Sequence, residues 1–158
     1  MKSILFALAL ASALPSFGQS HEAAPDTLIV LQRGACEQRC AVYRLVVFAD
    51  GNVIYQGQYF VRRQGLLRSL ISQDKLQKLI ADLENGGFFQ LKDNYGYGSA
   101  ANCASLDAGE PSAILSVSSR GRSKTILHNH GCAGADSDKL TGLEDKVDAA
   151  VGAGKWIK

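Results

Sequence analysis

The sequence predicts an α+β domain: one antiparallel sheet of five or six strands with two helices packed on it. Three observations carry that reading. Two β-rich runs meet across Asp50-Gly51, leucines and isoleucine repeat at helical spacing from Leu76 to Leu83, and a second pair of alternating runs meets across Arg120-Gly121-Arg122.

The first eighteen residues stand outside the fold. Lys2 gives a small positive head, ILFALALASAL is too short to span a bilayer, and Pro15 precedes a small-residue cleavage site after Gly18. Residues 1–18 therefore read as a signal peptide and 19–26 as a flexible leader, with residues 27–158 as a single domain. The expected compartment is the bacterial periplasm or the exterior. Cleavage takes 18 residues from 158 and, among charged residues, only Lys2, so a formal net charge of +2 falls by one unit. A near-neutral chain does not suit nucleic acid, which is held by clustered cations. The densest basic patch is Arg62, Arg63 and Arg68, without interleaved aromatic residues. No later segment is apolar enough to cross a membrane, and the expected form is a monomer.

Residues 27–32 (TLIVLQ) are β-branched and aliphatic and form a first strand. Arg33-Gly34-Ala35 and the loop from Cys36 to Cys40 lead into the hairpin. A two-residue type I′ turn at Asp50-Gly51 pairs Phe48 with Val53, Val46 with Tyr55 and Arg44 with Gly57. Tyr43, Leu45, Val47 and Ile54 then share the other face. Both faces are apolar near the turn, which predicts a central hairpin covered on both sides. Residues 65–71 add a short strand.

Ser72 is a good N-cap, and Leu76, Leu79, Ile80 and Leu83 make one apolar stripe. Gly86-Gly87 ends that helix through a left-handed residue. From Lys92 to Pro111 the pattern dissolves into a long Gly-, Asn- and Ala-rich segment, of the kind that is usually pinned or functional. Residues 112–119 and 123–129 form a hairpin. Ser137 or Asp138 caps a last helix carrying Leu140, Leu143, Val147 and Val151, and Trp156 and Ile157 clamp the tail.

Four cysteines in an exported chain read as two disulfides. Cys36–Cys40 and Cys103–Cys132 suit the geometry: one closes a tight loop, and in the other Cys132 falls opposite a position near Gly109, within reach of Cys103. A redox-active Cys36/Cys40 pair competes with this, as does a metal site built from His128, His130, Cys132 and Cys103. Asp107 and Glu110 near His128 would suit acid–base work, though no nucleophile motif accompanies them. Tyr95 and Tyr97, with Asp107 and His128, are the candidate binding residues, since Tyr- and Gly-rich loops suit adaptable contacts.

Ala35-Cys36-x-x-x-Cys40-x-x-Tyr43 followed by Asp50-Gly51-x-Val53-x-Tyr55-x-Gly57 resembles an uncharacterised bacterial family, the domain of unknown function numbered 6438. The resemblance continues through Gly87-Phe88-Phe89-x-Leu91, Asp107, Gly121-x-Ser123-Lys124-Thr125 and Trp156. Ala41 stands where that family usually has proline. The resemblance implies export and a small α+β domain, and brings no activity. The residues themselves suggest a non-catalytic module for a periplasmic protein or small ligand. The alternative is a metal-binding, redox or hydrolytic protein centred on Asp107, His128, His130 and the cysteines. No cofactor is expected on the first reading.

Overall fold

The computed structural model describes residues 26–98 and 102–158, so the predicted signal peptide lies outside the described residues. Strands β1 (Leu28–Arg33), β2 (Val42–Phe48), β3 (Asn52–Tyr59) and β4 (Gly65–Leu70) precede helix α1 (Gln73–Asn85). After a 3₁₀ turn at Phe88–Gln90 come β5 (Asn94–Tyr95), β6 (Ser112–Ser119) and β7 (Arg122–Asn129), then helices α2 (Ala135–Val151) and α3 (Gly154–Ile157). The α+β class holds, with seven strands and three helices among the described residues in place of five or six and two.

The strands lie in the order β4-β3-β2-β1-β6-β7-β5. All pairs are antiparallel except β5 with β7, where Asn94 and Tyr95 run parallel to Leu127 and His128. Two residues are too few to leave a periodic trace in sequence, and their pairing is wholly non-local. The middle strand is β1 rather than the β2–β3 hairpin. It pairs on both sides, Arg33 opposite Tyr43 and also opposite Ala113, which draws Arg33 out of the expected loop and into the strand.

The β2–β3 hairpin differs from expectation by one residue. Val47 pairs with Val53, Val46 with Ile54 and Leu45 with Tyr55, so the connection is Ala49-Asp50-Gly51. Gly51 N–H donates to Phe48 O at 2.9 Å, and only Gly51 of these three takes a positive φ, +82°. That is a type I turn followed by a left-handed glycine, the usual three-residue hairpin. Asp50 Oδ1 accepts from Asn52 N–H, which fixes the corner further. Because strand side chains alternate, the shift moves Val53 and Tyr55 beside Tyr43, Leu45 and Val47, and Ile54 to the opposite face.

One face alone receives the helices. Ile29, Leu31, Leu45, Val47, Val53, Tyr55, Leu115, Val117 and Ile126 meet Leu76, Leu79, Ile80 and Leu83 of α1 and Leu140, Leu143 and Val147 of α2 in a single core. The other face is partly open, with Phe48 and Leu70 exposed and Ser116–Thr125 and Ser118–Ser123 hydroxyls paired across strands. The expectation of a hairpin covered on both sides is therefore corrected.

Ser72 caps α1 through Lys75 N–H, and Gly87 takes the left-handed conformation just beyond Gly86. At α2 the expected caps fail: Gly134 precedes the first turn, and Ser137 lies inside it, buried. The tail is tied down by backbone bonds from Arg62 N to Ile157 O and Arg63 N to Trp156 O, with the Trp156 ring 4.9 Å from that of Tyr55.

Candidate binding cleft over a buried ionic network

Register places Tyr43, Arg33, Ala113, His128 and Tyr95 in one lateral row across β2, β1, β6, β7 and β5. Helix α2 lies over that row. Ser137, Glu144 and Asp148 are spaced i, i+7 and i+11, which puts them on one helical face. Eleven residues of helix rise about 16 Å, and the three strand intervals from β7 to β2 span about 14 Å. Successive turns of α2 therefore meet successive strands.

Each meeting is a polar bond. His128 Nε2 lies 2.8 Å from Ser137 Oγ, and His128 Nδ1 lies 2.8 Å from Glu144 Oε1. Arg33 Nη1 donates to Glu144 Oε2 at 2.6 Å, and Arg33 Nη2 donates to Asp145 and Asp148, each at 2.9 Å. Tyr43 O–H donates to Asp148 Oδ1 at 2.7 Å. His130, two residues beyond His128, holds Nε2 2.7 Å from Glu144 Oε2 and 2.9 Å from Arg33 Nη1. Ala113 is the small member of the row, and it lies between Arg33 and His128 beneath these groups.

Proton positions follow from what the groups can do. An ionised carboxylate only accepts and a guanidinium only donates. His128 Nδ1, which faces Glu144, therefore carries hydrogen, while His130 Nε2 stands between the acceptor Glu144 and the donor Arg33 and can serve one of them at a time. Burial alone would push the Glu144 carboxyl up. The bonds from His128 and His130 and the charge of Arg33 outweigh it, holding Glu144 below the ordinary carboxylate value. Asp148 goes the other way: burial raises it by more than Arg33 and Tyr43 lower it. Burial, then the neighbouring Asp148 charge, pushes the Tyr43 phenol up. Burial opposes the charge on Arg33, but Glu144 and Asp148 more than restore it.

The network ends in a cleft of about 460 Å³, where Arg33, Tyr43, His130, Thr141, Asp145 and Asp148 face Cys40, Ala41, Pro111 and Ile157. Glu144 is sealed behind it.

Of the residues singled out from sequence, His128 belongs to this network but is fully buried. Tyr95 is buried too, accepting from Lys92 N–H and set edge-on to the His128 ring. It is 1% exposed and belongs to the core. Tyr97 is more exposed and donates to His128 O at 3.4 Å. Asp107 stays with its own loop, where Oδ1 accepts from Gly109 N–H, rather than joining His128. The disulfides are Cys36–Cys40 and Cys103–Cys132. The second bond takes both thiolates out of the four-ligand metal set. Cys132 faces Leu106 across an isolated bridge instead of the position near Gly109.

His128, His130 and Glu144 do bring three potential metal-ligand atoms within 4.8 Å of one another. A cation there would have to displace the His128 Nδ1 proton and the Arg33 guanidinium from the same carboxylate, so Arg33 already fills the cation's place.

Sequence reading missed Arg33, Tyr43, Ser137, Glu144, Asp145 and Asp148. Two signals were present. Glu144 falls at i+4 from Leu140, inside the stripe that continues to Val147 and Val151, and a charge on an apolar face marks a buried partner. His128 and His130 continue the inward alternation of Ile126.

No curated protein matches the chain. Residues 27–151, from β1 to the end of α2, match a family model described as a domain of unknown function, DUF6438. That span contains every residue of the ionic network and both disulfides, and the chain belongs to this family.

Proposed function

We propose that this chain is an exported, non-catalytic binding domain that takes a small ligand in the cleft beside Arg33. One observation carries the reading: the cleft is of ligand size, and its polar wall is held rigid from behind. Arg33, His130 and Asp148 keep part of their side chains accessible while their other atoms are bonded to Glu144, Tyr43 or each other. Two carboxylates, Asp145 and Asp148, line the cleft against one guanidinium, which favours a ligand bearing an amine. Two disulfides suit an oxidising compartment.

The test is thermal unfolding with putrescine and lysine, against acetate and glutarate. The diamines raise the melting temperature of the native domain and leave Asp145→Asn/Asp148→Asn unmoved. Equal responses to amines and acids, or none, count against the cleft.

A second reading rests on a connectivity. Ser137 Oγ to His128 Nε2, and His128 Nδ1 to Glu144, is the order of a serine hydrolase triad. Ser137 is only 3% exposed and the cleft reaches Thr141, one turn away, so substrate has no path to the hydroxyl. A fluorophosphonate probe separates the two readings. Ser137 stays unmodified in a binding domain, and its labelling would establish the hydrolase instead.

A further inference from the structure

The β3–β4 tip carries a surface that the cleft does not use. From Gly51 to Gln73 the chain holds three arginines and no Asp or Glu. Folding adds a fourth cation: Arg62, Arg63, Arg68 and Lys155 line a groove of about 370 Å³ with Leu67 and Trp156, and no carboxylate lines it. Among the described residues none of these four cations forms an ion pair. Arg120, Arg122, Lys78 and Lys124, by contrast, each meet a carboxylate. The arginine patch seen in sequence thus gains Trp156 of the C-terminal turn in space, with Lys155 Nζ 4.4 Å from that ring centre.

Three apolar side chains of the same hairpin are exposed to water. Tyr59 is 64% exposed, Phe60 51% and Leu66 59%. Phe60 has φ +52°, a conformation that bulky residues rarely adopt and that persists only where the surroundings impose it. Here the surroundings are the C-terminal turn, which accepts backbone bonds from Arg62 and Arg63. Arg39 stacks over the Phe60 ring at 5.1 Å, adding a fifth cation. The tip is therefore braced in a shape that keeps two aromatic rings and a leucine in solvent beside unpaired positive charge.

We infer that this tip docks on the surface of an anionic lipid membrane, the cations meeting headgroup phosphates and Tyr59, Phe60 and Leu66 entering the interface. Both parts are needed to name the partner. Clustered Lys and Arg are drawn to anionic headgroups, while aromatic rings favour the boundary between water and hydrocarbon. A soluble phosphate would use the groove and leave the three apolar side chains in water. A membrane engages both.

Sedimentation with lipid vesicles tests this on the folded domain. Phosphatidylcholine vesicles containing phosphatidylglycerol should carry the protein down at low salt and release it at high salt. Pure phosphatidylcholine should not. Arg62→Ala/Arg63→Ala/Arg68→Ala should weaken partitioning by about 100-fold, at roughly fivefold per cation. Phe60→Ser should weaken it severalfold while keeping the salt dependence. Unchanged melting temperatures certify that both variants fold. Equal binding to neutral vesicles, or an unaffected triple variant, overturns the inference. So does capture of inorganic pyrophosphate or an oligonucleotide without binding to anionic vesicles. Neither outcome bears on the Arg33 cleft, which lies on other residues.

Discussion

Arg33 and Glu144, 111 positions apart in sequence, meet at 2.6 Å with the carboxylate wholly buried. This pair joins the central strand to the last long helix. Removing one partner of a buried pair leaves an uncompensated charge, which costs about 3–5 kcal/mol. Arg33→Met is therefore expected to lower the melting temperature by roughly 6–20 °C, at about 2–4 °C per kcal/mol for a domain near this size. Arg33→Met/Glu144→Leu should cost less than the two single changes summed, because neither charge is then stranded. Strict additivity in a denaturation cycle would show that the pair is not coupled.

Acid sensitivity should divide between the two carboxylates. Glu144 titrates lower in the fold than its ordinary 4.5, so its contribution is present above that value and is lost as pH falls through the depressed one. Asp148 titrates higher in the fold than its ordinary 3.8. Its contribution is complete below 3.8 and is lost as pH rises through the raised value. Glu144→Gln should flatten the acid limb of a stability–pH curve, and Asp148→Asn should steepen it. Unfolding followed from pH 7 downward reads both slopes, and parallel curves for the two variants would contradict the assignment.

The two disulfides should differ in worth. Cys103–Cys132 spans 29 positions and Cys36–Cys40 only 4. In the chain-entropy model these correspond to about 3–4 and about 2 kcal/mol. Cys103→Ala/Cys132→Ala should thus shift the denaturant midpoint further than Cys36→Ala/Cys40→Ala. The reverse ranking would mean that the small loop supports more of the fold than its length implies.

Gly51→Ala tests the hairpin corner. A Cβ there would meet Ile71 O at 2.4 Å, and the backbone holds φ at +82°. The left-handed conformation alone costs about 1–2 kcal/mol for a residue with a side chain, so destabilisation of about 2 kcal/mol or more is expected. Urea titration measures it, and a neutral outcome would mean that the corner rearranges freely.

Local pattern in this chain determined what each segment becomes. The Leu76–Leu83 stripe, the Ser72 cap, the two glycine corners and the 112–129 alternation report, within a few residues, which side is apolar and where the chain turns. The spacing of Cys103 and Cys132 around the second hairpin belongs with them. Tertiary structure alone decided the hairpin register, the two-residue parallel strand and the whole ionic network. Val53 and Tyr55 follow the helix-covered face because burying them there outweighs the shorter turn. Glu144 lies within the apolar stripe of its helix and Arg33 reads locally as a loop charge, and neither position names the other as its partner. Only the pairing of β1 with both β2 and β6, under a helix laid across them, removes water from that spot and makes each charge depend on the other.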